Sequence, residues 1–219
     1  MKYYLEQILQ RACEKAYPGC CTKSSLYRKK YADYSSAILL KISQETKQSP
    51  KDVWQRIQTE LPNLEITASI ELTEKGFMNF FISKTAQFDM ITKKINRLTA
   101  VPKRTAAEHN LEVINYAHMR INNVLPKLVN SDDKMLVVNL TVEEEQLIEC
   151  LDEILSVFYI SSDAFLLKKL QHLAVNIHSY FNVITLLCDN KEKYNLQVCL
   201  LKNCFMMLEI GILTFGLRV

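Results

Sequence analysis

Apolar residues recur at helical spacing through the first 60 residues, which predicts three amphipathic helices. The first ends at Pro18-Gly19, the second lies within the segment YADYSSAILLKIS, and the third begins with Ser49 as its N-cap and Pro50 at its first position. The positions expected to face the core are Leu5, Ile8, Leu9, Ala12 and Ala16 in the first helix, Ala37, Leu40 and Ile42 in the second, and Val53, Ile57 and Leu61 in the third.

The segment LEITASIEL (64–72) alternates apolar and polar residues without interruption, which predicts a half-buried strand. Gly76 supplies a turn, and a second strand follows as the hairpin partner. Because side chains alternate along a strand, one face of the second strand carries Met78, Phe80 and Ile82, and the other carries Phe77, Asn79 and Phe81. Two rings flanking an amide can be ordinary core packing, with Asn79 capping the hairpin, or a platform that binds a nucleobase.

After residue 85 the pattern becomes helical, with predicted helices at 108–128, 141–158, 163–188 and 191–215. Pro126 is expected to kink or end the first of these helices. We therefore predict an α+β domain with a small antiparallel sheet at 1–85, a helix and basic linker at 86–107, and an all-α helical bundle at 108–219.

Composition narrows the possible functions. No apolar run approaches the roughly 20 residues of a membrane span, and the N-terminus does not resemble a secretory signal. Seven cysteines without a CxxC pair indicate reduced thiols and a cytoplasmic location, and no Cys or His pair has the spacing of a zinc site. Four glycines are too few for a glycine-rich phosphate loop, so we expect no enzyme activity, cofactor or metal.

The net charge of +3 conceals an asymmetry between the two halves of the chain. Residues 1–105 hold 18 Lys or Arg against 10 Asp or Glu, whereas residues 106–219 hold 9 against 14. A basic half indicates a polyanionic partner or, alternatively, a solvated lysine-rich surface. The candidate phosphate contacts are Arg28, Lys29, Lys30, Lys93, Lys94 and Arg97.

Several motifs resemble arginyl-tRNA synthetases. The segments YADYSSAILLKI, PKDVWQRI and ITASIELTEKGFMNFFIS are similar to that family's additional N-terminal domain, which ends its sheet with a G-F/Y-I/L-N-F motif. The segments NYAHMRINNVL, LQHLAVNIHSYFN and LEIGILTFGLRV resemble its C-terminal anticodon-binding bundle, the DALR domain. Nothing resembles the HIGH or KMSK signatures of the catalytic core, so the resemblance implies a protein that binds tRNA without aminoacylating it.

The resemblance also implies site residues. The ring and amide of the G-F/Y-x-N motif bind an adenine of the D-loop at the outer corner of tRNA, and they match Phe77 and Asn79, with Phe81 on the same face. On the helix near 116, helical spacing places Tyr116, Arg120 and Asn123 in one polar and aromatic stripe. The stripe lies opposite Val113, Ala117, Ile121 and Val124. It is either a surface for RNA contact or an ordinary exposed face of the helix. The predicted anticodon-arm contacts are Tyr116, His118, Arg120, Asn123, Tyr180 and Phe181.

Two departures from the family predict weaker anticodon recognition. The family's Phe-Tyr order is reversed to Tyr180-Phe181, and the chain ends at Val219, before the family's P-E-R-M tail.

The predicted function is a carrier, protector or adaptor that presents tRNA, most specifically arginine tRNA, to a tRNA-modifying or processing enzyme. The alternative is a protein-interaction or homodimerising module that kept the fold and lost RNA binding, for which the acidic segment TVEEEQLIECLDEIL and the apolar C-terminal helix are the candidate surfaces.

Overall fold

The structure is a computed structural model that describes residues 1–20, 23–29, 31–64, 67–98, 103–104, 111–128, 140–184 and 190–216. The chain divides into two compact units, Met1–Gln87 (unit 1) and Phe88–Val219 (unit 2). Unit 1 combines helices with an antiparallel sheet, and unit 2 is helical in its described part. The predicted fold class is confirmed.

Unit 1 contains three helices and a four-stranded sheet of order β1-β2-β4-β3. The elements in chain order are α1 (Lys2–Ala16), β1 (Leu26–Lys29), β2 (Ala32–Ser36), α2 (Ile38–Thr46), α3 (Pro50–Glu60), β3 (Thr67–Leu72) and β4 (Met78–Ile82). The inner face of β4 is buried, with Met78, Phe80 and Ile82 between 0% and 7% exposed. Burying three large apolar side chains stabilises the unit by several kcal/mol, about 1.5–3 for each.

The first hairpin, β1 and β2, was not predicted. Its strands LYRK and ADYSS lack the apolar alternation that marks a half-buried strand, and the second was assigned to the start of a helix. The pairing Tyr34 with Phe80 shows why β2 forms: it lies beside β4, which supplies hydrogen bonds and apolar contact. Helix α2 consequently starts at Ile38 and buries Ile38, Leu39 and Ile42, rather than Ala37 and Leu40.

Other helix and strand predictions hold with small shifts. Ser49 caps α3 by accepting a hydrogen bond from the Asp52 amide at 3.2 Å. Strand β3 starts at Thr67 and has an irregular register between Thr67 and Ser69, which leaves Ala68 exposed instead of on the inner face.

The turn between β3 and β4 requires a glycine at position 76 for two reasons. Gly76 has φ +81°, a region that side chains with a Cβ rarely adopt. An added Cβ would also lie 2.6 Å from Leu40 Cδ2 and 3.1 Å from the Pro50 ring. The turn is therefore fitted against α2 and α3.

Replacing Gly76 by alanine should lower the free energy of unfolding of unit 1 by about 2–4 kcal/mol, because backbone strain and overpacking add. Trp54, the single tryptophan, lies in unit 1, so its fluorescence during urea unfolding measures the change. Gly19→Ala is the matched control, since Gly19 has φ +88° and no atom within 4 Å of the added Cβ. Equal effects at the two positions would rule out the predicted steric clash at Gly76.

Unit 2 is a helical bundle in its described part, and α4 (Lys84–Asn96) leads into it from unit 1. The bundle helices are α5 (Glu112–Val124), α6 (Val142–Val157), α7 (Asp163–Val183) and α8 (Lys191–Thr214). As predicted, α5 ends before Pro126, and a 3-10 turn follows at Leu125–Lys127. The predicted linker lies largely outside the described residues, at 99–102 and 105–107.

Helix α8 is apolar on nearly all sides because it contacts α5, α6 and α7. By length and composition alone this helix could cross a membrane, because its most apolar window has a mean hydropathy of 1.6. The expectation from the sequence overlooked this possibility. Of that window 61% is buried within the protein, which fits the central helix of a bundle. Leu196, Leu200 and Met207 are buried, at 0% exposure, and Ile210 is half-buried.

Two buried charged groups connect the helices of unit 2. The Glu144 carboxylate, 0% exposed, pairs with Lys193 Nζ and accepts hydrogen bonds from the Thr141 amide (2.8 Å) and the Tyr180 hydroxyl (3.4 Å). Thr141 accepts in return from the Glu144 amide, which completes a capping box at the start of α6.

The Arg104 guanidinium joins the end of α6 to the start of α7. It donates to the Phe158 carbonyl (2.6 Å), the Ser161 carbonyl (2.7 Å) and the Asp163 carboxylate (3.1 Å). The Arg104 amide also donates to the Thr214 carbonyl at 2.7 Å. This member of the basic linker is therefore a buried structural group rather than part of a solvated basic surface.

Candidate nucleic-acid interface

The outer face of the sheet, opposite Met78, Phe80 and Ile82, carries the ring and amide residues. Strand registers pair Tyr27 with Ser35, Ser35 with Asn79, and Asn79 with Glu71. These four side chains form one row across all four strands, with Tyr27 57% exposed at one end and the exposed Glu71 at the other. We call the row, together with Phe77 and Phe81, the outer sheet face.

Asn79 is the central polar group of the outer sheet face. Its residue exposure is 8%, and Phe77 and Phe81 on either side are half-buried. Among the described residues, no hydrogen bond to the side-chain amide is found. Asn79 is therefore a largely buried amide between two rings, with its donors and its acceptor not used by a described group.

Asp33 anchors the end of the outer face near Phe81. One carboxylate oxygen accepts from the Ile82 amide at 2.8 Å, and the other pairs with Lys84 Nζ at 3.0 Å. This carboxylate is therefore occupied by the backbone and a lysine, and among the described residues of the outer sheet face the other negative charge is that of Glu71.

The predicted phosphate contacts fall into two groups on different units. Arg28 is exposed on β1, the side chain of Lys29 and all of Lys30 lie outside the described residues, and the other three candidates are exposed on or just after α4. Those three are Lys93, Lys94 and Arg97. Each group is a separate candidate electrostatic surface.

Unit 2 brings three of the predicted anticodon-arm residues together with a fourth residue. Tyr116 and His178 have ring centroids 4.9 Å apart, Arg120 Nη1 lies 3.3 Å from His178 Nδ1, and the Arg120 guanidinium stacks 4.7 Å from the Phe181 ring centroid. We call Tyr116, Arg120, His178 and Phe181 the α5–α7 cluster. Tyr116 is 61% exposed, so the cluster has an accessible aromatic face.

Burial and the adjacent Arg120 lower the pKa of His178. A neutral imidazole accepts a hydrogen bond from the guanidinium through Nδ1, which orients Arg120 over Phe181. Sequence reasoning missed His178 because its neighbours Tyr116 and Arg120 are on another helix. Helical spacing along α7 would have placed His178 three positions before Phe181, on the same side.

Two predicted contacts are corrected by their burial. His118 is 4% exposed and stacks on Phe205 with ring centroids 4.4 Å apart, and burial lowers its pKa. Tyr180 is 1% exposed and donates to Glu144. Both side chains are core groups and are removed from the candidate surface.

The exposure of Asn123 on α5 agrees with the predicted stripe, whereas that of Val113 does not. Asn123 is exposed beyond the α5–α7 cluster, where the predicted stripe placed it. Val113 is 42% exposed, whereas the predicted pattern put it on the buried face, and Ile114 is buried in its place at 0%.

Comparison with known proteins places unit 1 among synthetase domains. Residues 4–82 match the family described as "Arginyl tRNA synthetase N terminal domain". Arginine–tRNA ligases of Legionella pneumophila, strains Corby and Paris, are each 30% identical over 126 residues, which cover 52% of this chain. The match covers only 22% and 21% of those two relatives, about a fifth of their length.

A solved Thermus thermophilus arginyl-tRNA synthetase aligns with 96% of this chain and 37% of its own, at 17% identity and a TM-score of 0.35. A similarity this low supports no inference about the fold. Residues 4–82 therefore match the arginyl-tRNA synthetase N-terminal domain family, and the chain is related to arginyl-tRNA synthetases over part of its length.

Proposed function

We propose that this protein binds tRNA through the outer sheet face and does not aminoacylate it. The observation that carries the proposal is the Asn79 amide, which lies between two half-buried rings with no hydrogen bond among the described residues, in the unit that matches a synthetase domain. RNA is recognised mainly at unpaired bases, which stack on rings and pair with amides. An unstacked base at the corner of a tRNA has this chemistry.

Stacking a base on Phe77 contributes about 1–3 kcal/mol, and the amide adds discrimination between bases. Arg28, which is exposed on β1 and two strands away from β4, is the proposed cation for the phosphate backbone. Affinity falls as salt rises, because salt competes for the phosphates. For each phosphate that the protein neutralises, the logarithm of the affinity decreases by about 0.7–0.9 per tenfold rise in salt concentration. Binding should therefore combine one recognised base with a salt-dependent backbone term.

The α5–α7 cluster is the proposed contact for the anticodon arm. Its exposed Tyr116 ring suits stacking, and the guanidinium of Arg120 suits a phosphate or a second base. Phe181 occupies the half-buried position of the cluster and has no hydroxyl to donate, whereas the hydroxyl of Tyr180 is used in the core. This surface should therefore bind less selectively than one that carries a second tyrosine.

The proposed biological use is to carry, protect or present tRNA, with arginine tRNA as the specific ligand and a modification or processing enzyme as the recipient. Two observations favour a non-catalytic role: the match covers about a fifth of the relatives' length, and the sequence contains no HIGH or KMSK signature. Sequencing of RNA crosslinked to the protein should show enrichment of arginine acceptors. Recovery of the bulk tRNA mixture would refute the arginine preference while leaving tRNA binding intact.

Combined Phe77→Ala and Asn79→Ala substitutions should weaken binding to total tRNA by about 2–4 kcal/mol, or roughly 30- to 1000-fold. Filter binding at several salt concentrations measures the loss, and Trp54 fluorescence verifies that unit 1 stays folded. Tyr3→Ala is the matched control, because Tyr3 is a 62% exposed aromatic on α1 and should leave affinity unchanged. Equal affinity for tRNA and an unrelated RNA duplex would remove the basis for the proposal.

The competing function is a protein-interaction module. Tyr159 and Ile160, between α6 and α7, are 58% and 80% exposed, and Phe165 on the first turns of α7 is 45% exposed. Such apolar side chains on the surface are typical of protein contacts. This function would be favoured if the wild-type protein fails to retain tRNA in the filter assay and sediments as a dimer in analytical ultracentrifugation.

A further inference from the structure

Strand β3 lies at an edge of the sheet, because β4 is its one neighbour among the described strands. The Thr73 amide donates to the Phe77 carbonyl at 2.8 Å, which fixes the hydrogen-bonding phase of the hairpin. Since hydrogen-bonded residues alternate along an antiparallel strand, Glu71 bonds to β4, whereas Ile70 and Leu72 direct their backbone N–H and C=O groups to the free edge. In the part of the chain that the structure describes, no other segment forms a backbone hydrogen bond with these groups.

The two edges of the sheet differ in their protection against pairing with another chain. Natural edge strands are commonly blocked by charged side chains, especially lysine, by proline or by a bulge. Strand β1 carries Arg28 and Lys29 within four residues. Strand β3 contains no lysine, arginine or proline, its one charged residue is Glu71, and its irregular register lies at its start, before Ile70. The part of β3 from Ile70 onward is therefore open to an added strand.

A cavity of about 340 Å³ lies beside this edge, between the end of α3 and β3. Trp54, Leu61 and Ile70 supply half-buried apolar walls, and Gln58 and Asn63 supply amide groups. Ligand sites commonly span roughly 300–1,000 Å³, so this cavity is small and suits one or two side chains. Because Ile70 lines the cavity and also directs its backbone to the edge, a strand added along β3 would place one of its alternating side chains in the cavity.

The charges around the edge favour a basic occupant. Glu71 is exposed on β3, and Glu60 is exposed at the end of α3, next to Leu61 in the chain. In the following turn, Glu74 and Lys75 offset each other. A second copy of this chain would bring two acidic edges together, and like charges placed opposite each other destabilise a sheet. A basic segment would instead bring opposite charges together.

We propose that β3 binds an extended, basic segment of a partner protein as a fifth strand of the sheet. Backbone hydrogen bonds to Ile70 and Leu72 supply the affinity, as is general for strand addition. One apolar side chain of the segment enters the cavity beside Trp54, and basic side chains on the opposite face pair with Glu71. The segment therefore alternates apolar and basic residues. This interaction requires no RNA.

An eight-residue peptide that alternates lysine and valine provides the probe, in a buffer without RNA. Titrating it into the full-length protein should shift the Trp54 emission to shorter wavelength until it saturates, because the ring lines the cavity. Amide hydrogen exchange followed by NMR should slow at least tenfold at Ile70 and Leu72, and much less at Glu71, which already bonds to β4. A peptide that alternates glutamate and valine should not bind. Unprotected amides at Ile70 and Leu72, or equal binding of the glutamate peptide, would overturn the proposal.

Substitutions then locate the site. Ala68 is exposed and lines the cavity, so Ala68→Lys should fold normally and weaken binding of the lysine–valine peptide at least tenfold. Glu71→Lys should weaken it to a similar extent. Glu145→Lys is the matched control, because it makes the same change of charge at an exposed position of α6 and should leave the affinity unchanged. Full binding by Ala68→Lys, or an equal loss in the control, would contradict the assignment.

Sedimentation separates the basic segment from a second copy as the occupant of the edge. The wild-type protein without peptide should sediment independently of any contact through β3, so Ala68→Lys should leave its sedimentation coefficient unchanged. A wild-type dimer that Ala68→Lys dissociates would overturn the proposal and make a second copy the partner of β3.

Discussion

Replacing Glu144 by alanine should lower the free energy of unfolding of unit 2 by about 3–5 kcal/mol. The substitution leaves Lys193, whose side chain is 16% exposed, without its carboxylate partner. It also removes the acceptor of the Tyr180 hydroxyl and of the Thr141 amide. A buried charge that loses its carboxylate is costly because the protein interior solvates it poorly. Urea unfolding followed by circular dichroism at helical wavelengths measures the loss.

Removing both charges tests whether the loss arises from the unpaired lysine. The double variant Glu144→Leu with Lys193→Met should be more stable than Glu144→Ala, since apolar groups of similar size can replace a buried ion pair at little cost. A double-mutant cycle with the single variants gives the coupling energy of the two side chains. If Glu144→Ala and the double variant lose the same stability, the ion pair is not the cause.

Replacing Arg104 by methionine should destabilise unit 2 by about 3 kcal/mol or more, because hydrogen bonds to a charged group contribute about 1.5–3 kcal/mol each. The guanidinium is the donor for two carbonyls where α6 ends, at Phe158 and Ser161. Its positive charge also lies near the negative end of the α6 dipole. The expected result is a lower urea midpoint with an unchanged slope, again followed by circular dichroism.

Arg104→Lys is the matched control for this effect. Lysine keeps the charge but cannot place two donors in the planar arrangement that reaches both carbonyls. We expect it to recover less than half of the stability lost in Arg104→Met. Full recovery would show that charge alone matters, and no loss in either variant would show that the α6–α7 junction is stable without this side chain.

The two candidate surfaces differ in how far the sequence predicted them. Alternation along β4 placed Phe77 and Asn79 on one face and Phe80 and Met78 on the other, and the structure shows that the second face is buried. The row from Tyr27 to Glu71 was not predicted, because the register between strands depends on a hairpin whose sequence carries no apolar alternation.

The helical surface was predicted less completely. Spacing along α5 correctly grouped Tyr116 and Arg120, but His118 turned inward against Phe205. A periodic pattern identifies the broad apolar side of a helix, and a histidine near its border can lie on either side of that border. Packing against α8 decided its position, and α8 is distant from α5 in the chain.

The sequence by itself determined most of the helices, the β3–β4 hairpin and the resemblance of unit 1 to a synthetase domain. Caps, turns and periodicity depend on residues within one or two turns of each other, and such interactions form Ser49's cap, the Gly76 turn and the end of α5 before Pro126. Only the tertiary structure decided which polar side chains meet. Cys150 with His172, Arg120 with His178 and Glu144 with Lys193 each join two helices. Contacts between separate helices depend on packing, which no local pattern encodes.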